Sequence, residues 1–359
     1  MRHARLCSFL AFLLAFVIST STWAQSDPTT TASRPDSAPL YRVSFEKRDP
    51  VPGISATPAI ALPFQCTGDG TILVRFVVPS TPGAPPRPNP MLDVSISQAG
   101  QGKTFPLDQV PGLYGPHELD RFAADSELVF LVQASRDDNS AKAPKHLYIV
   151  SFTREGEYKR TTEIEDEFQI QRLGEFPSGA FLAFGLNAKD SSPELELLKE
   201  DGTLLKSLQT PKGAMPESLL PAKDSPHPLR VSPTQFVAAG HSIRLVLNNT
   251  TFPVLEINES GAIRAIQPKL PAGEEIEYII PSDTNLYVIG ASGPPTKRTG
   301  GLIYEVNPED GTLLRRFDVG GEWTASNVAC VHDGKFLSID YGEGKVVPLV
   351  GSPELATSK

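Results

Sequence analysis

Ser326-Asn-Val-Ala-Cys-Val-His-Asp-Gly-Lys-Phe-Leu-Ser-Ile-Asp-Tyr341 is the stretch whose reading decides the fold. Val328 to Val331 is apolar throughout, as a strand covered on both faces is. Asp333-Gly334 is a two-residue hairpin signal, because Gly accepts a positive φ and Asp bonds its own backbone. Lys335 to Asp340 then reads as the return strand.

Variants of this hairpin recur. Phe64 to Gly70 precedes Thr71 to Val78, Phe122 to Ser126 precedes Glu127 to Val132, and Phe176 to Gly179 precedes Ala180 to Leu186. Phe236 to His241 precedes Ser242 to Leu247, and Ile280 to Asp283 precedes Thr284 to Ile289. The turn residues Asp69, Asp125, Ser178, Gly240, Asp283 and Asp333 are spaced by 56, 53, 62, 43 and 50 residues. A second pattern alternates with the first: an apolar strand, a Gly turn and a short strand. It is seen at Leu147 to Tyr158, Leu195 to Leu205, Val254 to Ile263 and Ile303 to Leu314, and more loosely at Met91 to Phe105. One unit is therefore four strands in roughly 45–55 residues, the period of propeller blades. A β-sandwich also has short strands with frequent turns, but strict alternation of two hairpin types favours the propeller. The expected fold is all-β: a six-bladed β-propeller of four-stranded antiparallel blades.

Asn327 to Asp340 resembles the blades of NHL-type and gluconolactonase-like six-bladed propellers, which read roughly Asn-Gly-(apolar)-Asp-x-Asp-Gly-x-(apolar)-Asp. The resemblance implies the same fold over Tyr41 to Gly351. It implies little about activity, because this scaffold carries many unrelated ones.

Residues 1–24 read as a secretory signal, with Arg2 and Arg5 before the apolar run Leu6 to Ile18 and a small-x-small site at Thr22-Trp23-Ala24. The run is too short to span a membrane, and no later segment approaches that length. Export to the periplasm or outside the cell is expected. Residues 25–39 are rich in Thr, Ser, Pro and Asp and read as a disordered linker, 40–351 as the propeller and 352–359 as a disordered tail. The net charge of −9 disfavours nucleic-acid partners and anionic membranes. The expected partner is an unknown protein or small-molecule ligand, and the chain is expected to be a monomer.

Tyr41 to Phe45 alternates as a strand, while the C-terminal blade supplies only three, near Val328, Phe336 and Val346 to Val350. A propeller must protect its edges. The N-terminal strand is therefore expected to close the last blade antiparallel to Val346–Val350, a 3+1 closure. Thr210 to Pro228 is the longest insertion, a proline-rich surface loop.

The chain contains no Gly-x-Ser-x-Gly elbow, His-Glu-x-x-His, phosphate loop or Cys-x-x-Cys. Ligand-binding candidates are residues just before an inner strand or just after a second strand. They are His117, Glu118, Asn187, Trp323, Asn327 and Asp340, with Glu167 and Glu277 at similar places. Two functions compete. One is a lactonase-like hydrolase with a divalent cation held in the channel by Glu, Asn and Asp oxygens. The resembled lactonases carry an acid in a Glu-Gly-Pro run before the first inner strand; Val51 to Thr57 here has none. The other is a non-catalytic binding or scaffold module, which requires no special residue and no metal, and is the more economical reading.

After signal removal two cysteines remain, in matching contexts: Cys66-Thr-Gly-Asp-Gly and Cys330-Val-His-Asp-Gly. Both belong on an inner strand, one in the first blade and one in the last, which ring closure makes neighbours. A disulfide there is one reading. Two buried free thiols are the simpler one.

Overall fold

The structure is a computed structural model that describes residues 38–54, 64–77, 91–124, 127–137, 140, 143–164, 168–190, 192–212, 235–246, 254–282, 285–292, 301–320, 327–341 and 344–356. It is all-β and propeller-like, with four four-stranded sheets and one eight-stranded sheet. Sheet 1 holds β2 (Gln65–Cys66), β3 (Ile72–Val77), β4 (Met91–Ile96) and β5 (Gly102–Phe105). Sheet 2 holds β6 (Tyr114–Ala123), β7 (Glu127–Ser135), β8 (His146–Thr153) and β9 (Tyr158–Ile164). Sheet 3 holds β10 (Phe168–Glu175), β11 (Phe181–Asn187), β12 (Pro193–Leu198) and β13 (Leu204–Ser207). Sheet 4 holds β14 (Gln235–Ala239), β15 (Ser242–Val246), β16 (Val254–Asn258) and β17 (Ile263–Ile266).

The composite sheet begins with β18 (Glu274–Ile280), β19 (Leu286–Ser292), β20 (Ile303–Val306) and β21 (Leu313–Asp318). It continues through β1 (Leu40–Lys47) to β24 (Val347–Leu355), β23 (Lys335–Asp340) and β22 (Val328–His332). A short 3-10 turn, Leu107–Gln109, leads into sheet 2.

Burial explains the sequence pattern. Second and third strands such as β7, β11 and β20 are buried almost throughout because neighbouring sheets cover both faces. The outer strand β13 is exposed at every position. One apolar cluster joins sheet 1 to the β22–β24 strands and another joins sheet 3 to sheet 4. Phe64, Ile72, Val74 and Phe76 of sheet 1 pack on Leu337, Ile339, Val346 and Val350. Leu182, Phe184 and Leu195 of sheet 3 pack on Phe236, Ile243 and Leu255 of sheet 4.

β1 pairs antiparallel with β24 from Tyr41↔Leu355 to Lys47↔Leu349, with Phe45 opposite Gly351. It also pairs parallel with β21, Tyr41 opposite Phe317, a partner that the sequence reading lacked. The rings of Tyr41 and Phe317 lie 5.6 Å apart, and Arg316 Nε donates to Ala38 O at 2.9 Å. The second pairing covers an edge that β1 would otherwise leave open. The tail also departs from expectation. β24 runs to Leu355, and the Ala356 N–H donates to Leu40 O at 2.9 Å, so residues 352–355 are strand, ordered by their ladder to β1.

Cys66 and Cys330 are joined by a disulfide with a Cα–Cα distance of 6.0 Å, across a sequence separation of 264. It links β2, the innermost strand of sheet 1, to β22. Beside it Ser282 and Val331 form an isolated parallel bridge, and the Val331 N–H donates to Pro281 O at 2.9 Å.

Candidate functional site

The hairpin turns that organise the sequence place the site. Among the described residues, the turns after β2, β10, β14 and β22 each join the first strand of their repeat to the second, so they lie at the same end of their strands. Those after β2, β14 and β22, with the residues just beyond β18, converge on a cavity of about 500 Å³. Its walls are Thr67 to Asp69 from sheet 1, Ala238 and Gly240 from sheet 4, Pro281 and Ser282 after β18, and Val331 and His332 from β22. The Cys66–Cys330 disulfide lies in the same wall. Deeper in, Gln65 Nε2 donates to Phe236 O at 3.1 Å, so sheets 1 and 4 touch directly across the centre.

The rim is rigid. Thr67 Oγ1 and the Thr71 N–H both donate to Asp69 Oδ1, at 2.5 and 3.1 Å, and Arg154 Nη1 lies 2.6 Å from Asp69 Oδ2. Burial alone would raise the Asp69 carboxyl, but these hydrogen bonds and Arg154 hold it below the usual carboxylate range. Gly70 has φ +79°, and a β-carbon there would lie 2.5 Å from Gln98 Nε2 and 3.1 Å from His332 Cγ. His332 Nε2 is 3.4 Å from Asp333 Oδ2. The wall is half polar, with backbone groups at the turns and an acid already committed to its own turn.

The sequence candidates lie elsewhere. His117 is exposed near the start of β6, Asn187 ends β11 opposite Phe168, and Asp340 ends β23. These positions are at the other end of the sheets from the cavity. Asn187 Nδ2 donates to Glu194 Oε1 at 3.1 Å, Asp340 pairs with Lys47 at 2.8 Å, and the Asn327 carbonyl accepts from Ser338 Oγ. Glu277 is half-buried in β18. Trp323 and Glu167 lie outside the described residues. The structure does not gather this set into one site.

Glu118 belongs to a buried ion cluster between sheets 1 and 2. Its carboxylate pairs with Arg75 and, at 3.8 Å, with Arg121, while Asp93 lies 3.3 Å from Arg75 Nε. Burial pushes the Asp93 carboxyl up, against the pull of both arginines. Burial and the neighbouring Arg121 push Arg75 down to about 10, so it stays charged at neutral pH. The adjacent Asp120 accepts from the Leu173 N–H of β10 at 2.9 Å, and burial pushes its carboxyl up too. Between sheets 2 and 3 a second cluster joins Glu127 and Glu175 through Arg160 Nη2, at 3.6 and 2.8 Å, with Lys159 3.1 Å from Glu127. Burial and then the Glu127 carboxylate push Glu175 up to about 8. Among the described residues no group of three or more His, Cys, Asp or Glu side chains is placed to hold a metal ion.

Two signals in the sequence went unused. The cavity residues sit in and beside the very turns that define the repeat. The third strands carry an acid between apolar residues: Leu92-Asp93-Val94, Leu195-Glu196-Leu197, Leu255-Glu256-Ile257 and Tyr304-Glu305-Val306. Asp93, Glu196 and Glu305 are buried. Glu256 is held by Arg244 at 2.8 Å and Arg264 at 2.7 Å, and Glu305 by Arg315 and the Tyr287 hydroxyl. An alternating-face reading would turn these acids to water. Instead each has a polar or cationic partner on an adjacent strand of its own sheet.

No family model matches the chain, and no curated protein matches it. Among solved structures, a protein of unknown function from Bacteroides caccae is similar at 12% identity and a TM-score of 0.38, over 72% of this chain and 86% of that one. The phage phi92 endosialidase is similar at 8% identity and a TM-score of 0.46, over 89% of this chain and 70% of that one.

Proposed function

We propose that the protein is an exported, monomeric, non-catalytic binding module built as a six-bladed β-propeller, with a ligand or partner surface at the mouth of its channel. In this reading the eight-stranded sheet counts as two blades, β18–β21 and β22–β24, the second completed by β1. The antiparallel register of β1 with β24 supports that count. The binding reading rests on one observation: turns from separate sheets converge on a cavity of about 500 Å³ whose one acid, Asp69, is already held by Thr67 and the Thr71 N–H. Such a pocket is suited to holding a ligand rather than to moving protons. Export rests on the Arg2–Ala24 segment, and the mature chain is expected to begin at Gln25.

Ala238→Trp would fill the cavity from the β14 side. Native mass spectrometry of the protein recovered from the periplasm or medium is expected to show a bound species that the variant lacks. A wild type without one, together with δ-gluconolactone hydrolysis that EDTA abolishes, would overturn the non-catalytic reading in favour of a metal-dependent hydrolase.

A further inference from the structure

We propose that a second groove, between sheet 1 and the β22–β24 end of the composite sheet, binds a small polyvalent oxyanion. The groove has a volume of about 770 Å³. Pro50, Pro52, Gly102 and Val350 line it together with Arg48, Lys103 and Lys335, and Asp49 is the one acid.

The groove is preformed. One wall is the segment after β1, tied along β24 where the Arg48 N–H donates to Pro348 O at 2.9 Å and the Val51 N–H to Val346 O at 2.8 Å. The other wall is the β4–β5 turn, closed by the Gly100 N–H on Ser97 O at 2.9 Å and the Ser97 N–H on Gln101 O at 3.0 Å. Gln98 Nε2 braces that turn on Asp69 O at 2.9 Å. The walls meet at Gly102, where a β-carbon would lie 2.6 Å from Val51 Cγ1.

The charges point to the ligand. Several arginines elsewhere are engaged: Arg75 with Asp93, Arg160 with Glu175, Arg244 and Arg264 with Glu256, and Arg315 with Glu305. Arg48, Lys103 and Lys335 are all exposed and make no ion pair among the described residues. Three cations from three separate segments thus face one groove with a single acid among them, in a chain of net charge −9. Gathering like charges is unfavourable unless something neutralises them, and a concave, walled site strengthens their field at its centre. One monovalent anion would leave charge uncompensated; a ligand with two or three oxyanion groups matches the set. An arginine fork binds carboxylate and phosphate oxygens alike, and the lysines act as point charges for either. The shared chemistry is a polyvalent oxyanion, from a polycarboxylate or from an oligophosphate.

The test uses citrate and tripolyphosphate as probes, with the full mature protein in isothermal titration calorimetry. The expected result is saturable 1:1 binding of at least one probe that weakens about tenfold or more between about 50 mM and about 500 mM NaCl. Citrate alone would assign a carboxylate source, tripolyphosphate alone a phosphate source, and both a site that reads charge only. The variant R48A/K103A/K335A is expected to lose about tenfold or more in affinity while keeping the wild-type melting temperature. The variant K145A/K199A/K212A, with the same charge change away from the groove, is expected to bind as the wild type does. Binding of neither probe, or equal loss in both triple variants, would overturn the proposal.

Discussion

The joint between the first and last sheets and the joints among sheets 1, 2 and 3 hold neighbours together by different chemistry. All have an apolar core; the first adds a covalent link, the Cys66–Cys330 disulfide amid Phe64, Ile72, Val74, Phe76, Leu337, Ile339, Val346 and Val350. The others carry ions, Arg75–Asp93–Glu118–Arg121 at one joint and Glu127–Arg160–Glu175 at the next. Consecutive sheets are held close by the chain between them, so a joint between them can carry charges whose burial nearly cancels their attraction. The two ends of the chain have no such tether. There a cross-link over a separation of 264 residues removes more entropy from the unfolded chain than any contact between sequence neighbours could.

That contrast ranks the ways to break it. Deleting residues 40–46 removes β1 and exposes the β21 and β24 edges together. Aggregation or failure to fold is expected, read by size-exclusion chromatography; a monomeric product melting as the wild type does would show that β1 is dispensable. Cys66→Ser with Cys330→Ser comes next. The chain-entropy model sets the loss at up to about 5 kcal/mol for so long a loop, measured by denaturant titration against the oxidised wild type. An unchanged midpoint would mean that the apolar contacts alone hold the joint.

Arg75→Met should cost about 3–5 kcal/mol, because it leaves the two buried carboxylates Asp93 and Glu118 with Arg121 alone. A loss below about 1 kcal/mol would mark the cluster as solvated. Glu175→Gln acts through pH. The folded protein keeps the Glu175 proton up to about 8, whereas the unfolded chain releases it near the ordinary value of 4.5. Between those values the folded state binds more protons, so wild-type stability falls as pH rises through the window and levels off above about 8. The Gln variant lacks this slope. Melting temperatures from pH 5 to pH 9 should therefore fall more steeply for the wild type, and parallel curves would remove Glu175 as the titrating group.

How far the sequence speaks follows the same division. Asp333-Gly334 and its relatives were legible because a hairpin turn is a local requirement on φ, written in the residues that satisfy it. The β1–β24 pairing was legible from counting strands. The parallel contact of β1 with β21 was not, since nothing local distinguishes an edge that will be covered from one that will face water. The acids of the third strands were present as a pattern, but their partners are separated from them in sequence, as Arg75 is from Asp93 and Arg244 from Glu256. The candidate residues Glu118 and Asn187 were chosen for the end of the sheets where strands begin; Glu118 proved to be packed among arginines and Asn187 bonded to Glu194. The disulfide was not legible, because the spacing of matching positions in neighbouring units is set by how the sheets converge; at β2 and β22 the two Cα atoms come to 6.0 Å.

The most direct test of the whole arrangement is peptide mapping of the exported protein, alkylated and digested without reductant. The account predicts one cross-linked pair, a peptide containing Cys66 joined to one containing Cys330, which separates only after reduction. Two singly alkylated cysteine peptides from folded, unreduced protein would contradict the covalent joint between the first and last sheets.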